Sequence, residues 1–292
     1  MRHLIAIAAL GAALVPCVSR AAEAPPIHVG SIYVTKVGNG PTPLVLIPGL
    51  GCGPWVWENF VHSLPERQYT VYKITLAGFD GTPAVAGPAR LASYTSSIQQ
   101  MIENQHIVRP VIVGHSLGGA LALNVAAGTS VARGLIIVDS LPLFPPLGPG
   151  ETIAARKSQW AAIAAKIKSQ DDSAFAADEH RVIKQMVTDP GTADDVATRV
   201  LRSDRTTLAE VVAELATTDL HSDVPRLSAP ALVLAPGDNG FAADATQQFY
   251  QQQYAGAQNV TVKVIPKSRH FIMLDQPAAF HDAVLDFIEG LK

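Results

Sequence analysis

Cysteine is almost absent from this chain, which carries only Cys17 and Cys52. Cys17 lies in an N-terminal segment that reads as removable, so a single thiol would remain and no internal disulfide is expected, even in an oxidising compartment. Metal-binding patterns are missing too. There are no paired cysteines, no H-x-x-x-H and no acidic calcium loop, so the sequence points to no metal and no cofactor. Charge is sparse: Asp, Glu, Lys and Arg make up 16% of residues, the formal net charge is −3, and no basic run occurs. That excludes nucleic acid as a partner, because its recognition needs a concentrated basic face. There is no internal repeat and no GxxxxGK phosphate loop. Past the N-terminus no apolar run approaches the roughly 20 residues that span a bilayer, so no stable membrane anchor is expected.

The N-terminus reads as an export signal. Arg2 and His3 give a basic start, residues 4–18 are nearly all apolar, and Ser19 and Ala21 are small residues suited to cleavage after Ala21. The apolar run is short for an anchor and contains Pro16. Residues 1–21 are therefore expected to be a signal peptide, with the mature protein periplasmic or secreted.

The remaining chain is long enough for one large α/β domain with an insertion, or for two modest domains. Strand-like apolar runs at residues 43–47, 69–76, 111–113 and 135–138 alternate with helical patterns, and residues 27–37 read as an edge strand. This alternation predicts a mostly parallel sheet with helices on both faces. The rhythm breaks at the proline-rich hinge "LPLFPPLGPG", residues 141–150. Four helical segments follow, at 153–167, 172–186, 192–203 and 206–217, before strands resume at 231–234 and 260–265. The expected organisation is a core of residues 27–140 and 230–292, interrupted by a helical insertion at 141–229.

The stretch "PVIVGHSLGGALALNVAAG" carries the chemistry. An oily strand stops and an Ala/Leu-rich helix begins, with Ser116 between Gly114 and Gly118. A strand that enters a helix through so tight a turn crowds those two positions, and only glycine fits easily. A serine held there is placed to act as a nucleophile. Its hydroxyl needs a base, which histidine suits, and a carboxylate to fix the imidazole tautomer. In an open α/β sheet these groups belong at the carboxyl ends of strands. Asp238 follows one such strand in "LVLAPGDNGF", and His270 follows another in "VIPKSRHFIMLDQP". Asp139 also ends a strand and is the alternative acid, although capping is its expected task.

Gly114-His115-Ser116-Leu117-Gly118 matches G-x-S-x-G, and the order serine, acid, histidine accompanies it. On these residues the chain resembles the serine hydrolases of the α/β-hydrolase fold superfamily, over roughly residue 27 to the C-terminus. The resemblance implies that the insertion is a cap. It also implies that the N–H of Leu117 is one oxyanion donor, and that the other comes from the loop after "LVLIPGLG", either Leu50 or Gly51. That loop departs from the family's usual His-Gly: Pro48-Gly49 stands there, and Pro48 has no N–H to offer.

The reading that follows is an exported serine hydrolase using Ser116, His270 and Asp238 on a small or medium ester, thioester or lactone. Leu143 and Phe144 of the hinge, and Phe241 beside the acid, are the expected apolar substrate contacts. Two alternatives stay open: a non-catalytic binder that keeps the fold, and a cofactor-free haloperoxidase-type enzyme.

Overall fold

A run of β-branched and leucine side chains buried on both faces makes each central strand of this protein, as parallel sheets require. The computed structural model describes residues 26–65 and 67–291; the expected signal peptide lies outside the described residues. The strands are β1 (Ile27–Val29), β2 (Ile32–Gly38), β3 (Thr42–Ile47), β4 (Tyr69–Leu76), β5 (Val111–His115), β6 (Gly134–Val138), β7 (Ala231–Pro236) and β8 (Val260–Ile265). They form one sheet in the order β1-β2-β4-β3-β5-β6-β7-β8. β1 and β2 pair antiparallel, as do β2 and β4. Every other neighbouring pair is parallel. The single edge strand expected over residues 27–37 is instead a hairpin, broken at Gly30.

Period-two alternation splits the core between the two faces. Ile112, Leu135 and Ile137 face one side, with α2 (Leu91–Asn104) and α3 (Leu117–Ala126) packed there. Val111, Val113, Ile136 and Val138 face the other, against Trp57, Phe60 and Phe280. Phe60 belongs to α1 (Glu58–Ser63), preceded by a 3-10 turn over Pro54–Trp57, where sequence pattern suggests one continuous helix.

Between β6 and β7 the chain forms α4 (Ile153–Ser169), α5 (Asp172–Met186), α6 (Pro190–Val200) and α7 (Arg205–Leu215). Each begins at a side-chain cap. Thr152, Asp171, Asp189 and Asp204 accept the N–H of Ala155, Ala174, Thr192 and Thr207 respectively. Such caps satisfy orphan donors and set where each helix starts. The base of the insertion is closed by Leu220 N–H to Pro142 O at 2.8 Å. The chain ends with α8 (Ala243–Gln253), the short α9 (Ile272–Asp275) and α10 (Pro277–Gly290). No helix among the described residues is long and apolar enough to cross a membrane.

The sheet order locates the site. The chain leaves β3 toward one edge to form β4, then crosses to the other side of β3 to form β5. β3 and β5 are therefore adjacent, with Ile47 paired to Gly114, and the loops at their carboxyl ends meet. In open α/β sheets such a switch point is where ligands bind.

Candidate active site

Ser116 links β5 to α3 with φ 53° and ψ −118°, a conformation side-chain-bearing residues seldom adopt. The flanking glycines make that turn possible. A Cβ on Gly114 would come within 2.1 Å of Gly118 O, and one on Gly118 within 2.2 Å of Ile47 O. Both contacts are with backbone, which cannot yield cheaply. Ser116 N–H is held by Val138 O at 2.9 Å, and the helix N-terminus begins at the next residue. The tight strand–turn–helix expected from the sequence is present, with Ser116 at its tip.

His270 pairs with Asp139, not with Asp238. Its Nδ1 lies 2.6 Å from Asp139 Oδ2, which leaves Nε2 as the ring nitrogen free to exchange a proton. Asp139 stands at φ 40° just past β6, with its N–H on Leu234 O at 2.8 Å. The physical reason is strand adjacency. β6 is the neighbour of β5, with Val138 opposite His115, so Asp139 is one strand away from the serine's turn. β7 is two strands away, roughly 10 Å at normal strand spacing. Asp238 is exposed and accepts from Arg269 Nε at 2.9 Å, so the expected role as His270's partner falls to Asp139.

Two side chains not expected from the sequence complete this arrangement. The Tyr250 hydroxyl of α8 donates to Asp139 Oδ1, so each carboxylate oxygen has its own partner. Burial, and then the adjacent Asp139 carboxylate, push the Tyr250 hydroxyl far above the usual phenol range, which keeps it a donor. His115 is fully buried, and its Nε2 is 3.0 Å from His270 O. Burial, followed by the proximity of His270, lowers the His115 imidazole well below its usual value. The ring is thus neutral, and since a carbonyl only accepts, Nε2 carries the hydrogen. His115 thereby holds the backbone of His270 from behind. Its place within G-x-S-x-G was the one available sequence signal.

The loop after β3, expected to supply an oxyanion donor, is a turn closed by Cys52 N–H on Gly49 O at 3.1 Å. The insertion clamps it. Ser203, between α6 and α7, donates to Gly51 O at 3.1 Å and accepts Asp80 N–H at 3.1 Å, while Asp204 N–H binds Gly78 O at 2.7 Å. Leu50 faces the same cavity as Ser116 and His270. Leu117 is the first residue of α3, so its N–H has no intrahelical acceptor.

That cavity, about 320 Å³, lies between the strand ends and the insertion. Phe144 lines it as expected, 45% exposed at its mouth. The other two expected contacts are not there. Leu143 is buried in the protein interior outside the cavity lining, and Phe241 is 72% exposed and away from it. Most of the wall comes from the insertion instead, including Trp160, Ile163 and Leu215. Sequence periodicity marks these as apolar helix positions and cannot say that they face a void. Among the described residues, no cluster of three or more His, Cys, Asp or Glu could hold a metal ion.

A mostly parallel sheet with a serine elbow, a His–Asp pair at the strand ends and a roof of inserted helices defines an α/β hydrolase. The alpha/beta hydrolase family matches residues 44–283, and the chain belongs to it. Over 88% of its length it is 23% identical to a pimeloyl-(acyl-carrier protein) methyl ester esterase of Yersinia enterocolitica, 97% of which is covered. A 100-residue stretch is 31% identical to a 2-hydroxy-6-oxononadienedioate/2-hydroxy-6-oxononatrienedioate hydrolase of a Pseudomonas species, spanning 33% of this chain and 35% of that one. A thermophilic esterase from Thermogutta terrifontis superposes with a TM-score of 0.76 at 18% identity, covering 92% of this chain and 99% of that one.

Proposed function

We propose that the protein is a serine hydrolase that cleaves small or medium carboxylic esters, thioesters or lactones through an acyl-enzyme. The observation that carries this reading is the 2.6 Å contact of His270 Nδ1 with Asp139, beside a serine on a strained elbow in the same cavity. Ser116 Oγ attacks the acyl carbon as His270 Nε2 takes its proton. Asp139 holds the imidazole tautomer and stabilises the cation that forms. The oxyanion is received by the N–H groups of Leu117 and Leu50; Leu50 is favoured over Gly51 because Leu50 lines the cavity and Gly51 does not. His270 returns the proton to the leaving alcohol or thiol, and the cycle repeats with water as the nucleophile. That step releases the acid and frees Ser116.

The apolar wall supports an acyl or alcohol chain of modest length, since a roofed cavity of this size does not suit a polymer. The relative named for methyl ester cleavage supports the ester class. The basic start and apolar run of residues 2–18 support a cleaved leader and export, which N-terminal sequencing checks: the mature protein should begin near Ala22.

A fluorophosphonate probe tests the mechanism. Labelling is expected at Ser116, with Ser116→Ala unlabelled and its kcat on p-nitrophenyl butyrate about 10⁶-fold lower. A Ser116→Ala enzyme that kept more than a few per cent of the activity would overturn the acyl-enzyme reading.

A further inference from the structure

The cavity over Ser116 holds one carboxylate and no cation. Glu179 of α5 lines it together with Val182, Ile183 and Met186. These four positions follow the i, i+3, i+4, i+7 spacing of one helix face, so an acidic residue stands in an otherwise apolar stripe. No Lys or Arg lines the cavity. The cations near Glu179 in sequence are engaged elsewhere. Asp178 takes Arg181 at 2.7 Å and Lys166 at 3.5 Å, and Asp194 takes Lys184 at 3.6 Å. Among the described residues, Glu179 itself makes no ion pair or hydrogen bond. Glu179 is half-buried, and a carboxylate partly withdrawn from water among apolar walls without a partner is held unfavourably. Burial accordingly raises the Glu179 carboxyl above its ordinary value. A ligand that brings the missing positive charge relieves the cost. Trp160 lines the same cavity, and an indole ring attracts an ammonium group as well.

We propose that Glu179 is a specificity-determining residue: it selects esters that carry an ammonium group away from the scissile bond, and rejects esters that carry a free carboxylate. This rests on the serine hydrolase reading and names its substrate class. It also sets this cavity against a substrate with a second acid group, because no cation is present to receive one.

Two series of esters test the proposal, one for each side of the scissile bond. The acyl series is ethyl heptanoate, ethyl 6-aminohexanoate and monoethyl pimelate, ending in methyl, ammonium and carboxylate at matching length. The alcohol series compares hexanoylcholine with its neutral isostere 3,3-dimethylbutyl hexanoate. In at least one series kcat/KM should favour the ammonium ester. The ratio of ammonium to neutral or anionic ester should fall by about 10–100-fold in Glu179→Gln, the range expected for a charge-assisted contact. Glu179→Leu, which matches the surrounding stripe, serves as a second variant should the first fail to fold. Hydrolysis without charge preference in either series, or a preference unchanged in both variants, would overturn the role of Glu179 and leave the hydrolase intact. No hydrolysis of any ester would overturn the hydrolase reading, and this proposal with it.

Discussion

Replacing Asp139 by Asn separates the two candidate acids of this site. In the structure Asp139 Oδ2 receives His270 Nδ1 at 2.6 Å, and Tyr250 donates to the other oxygen. The protonated Tyr250 hydroxyl donates to Asp139 Oδ1, and by donating in the same way to an asparagine it claims the amide oxygen. The amide nitrogen then faces His270 Nδ1 and donates to it. The imidazole is forced into the tautomer with its hydrogen on Nε2, where it cannot take the proton of Ser116. In a triad this change lowers kcat by about 10⁴-fold, or about 5 kcal/mol of barrier. Asp238→Asn removes only a contact with Arg269 between side chains 48% and 36% exposed. Such a pair contributes about 0–1 kcal/mol to stability and nothing to the tautomer. The assay is kcat on p-nitrophenyl butyrate for both variants, with thermal melting to confirm folding. Activity above about 10% in Asp139→Asn, alongside a loss of a thousandfold or more in Asp238→Asn, would refute the assignment of the acid to Asp139.

Three further outcomes follow from individual contacts. Ser203→Ala removes the hydroxyl that binds Gly51 O and receives Asp80 N–H, so kcat should fall by about tenfold with KM little changed; an unaltered kcat would show that the oxyanion loop holds its shape without the clamp. Arg156 and a hydrogen bond from Gly148 N–H hold the Glu151 carboxyl down to about 2 from an ordinary 4.5. A depressed carboxyl stabilises the fold above its unfolded value and loses that contribution as pH falls through its folded one. The melting-temperature gap between wild type and Glu151→Gln should therefore be full above pH 4.5 and close as pH falls toward 2, and a gap that widened on acidification would contradict the pairing. Burial, with the Asp80 and Glu179 carboxylates adding to it, pushes the Cys52 thiol far above its usual range. Iodoacetamide should then leave Cys52 unmodified in the native protein and alkylate it after denaturation, as mass spectrometry can read.

Local pattern determined a large part of this protein by itself. β-branched apolar residues recur along both β4, buried throughout, and the half-exposed edge strand β8, so both were legible to the residue. The starts of α4 and α5 were legible from helical spacing alone, at residues 153 and 172, and in the structure Thr152 and Asp171 cap them. The elbow was legible because its two glycines answer to backbone contacts that hold wherever a strand turns sharply into a helix. Tertiary structure decided what depends on which strand lies beside which. Asp139 and Asp238 both end parallel strands and both precede His270, so linear order cannot rank them; only the adjacency of β5 and β6 brings one carboxylate to the histidine. The same holds for Tyr250, His115 and Ser203, whose partners lie 111, 155 and 152 residues away. Phe241 and Phe144 are both aromatics beside the expected chemistry, yet one faces solvent and the other the cavity. Glu179 is the clearest case. On a helical wheel it is one acid on a mixed helix, and it becomes a lone charge in an apolar pocket only when α5 is laid over the strand ends.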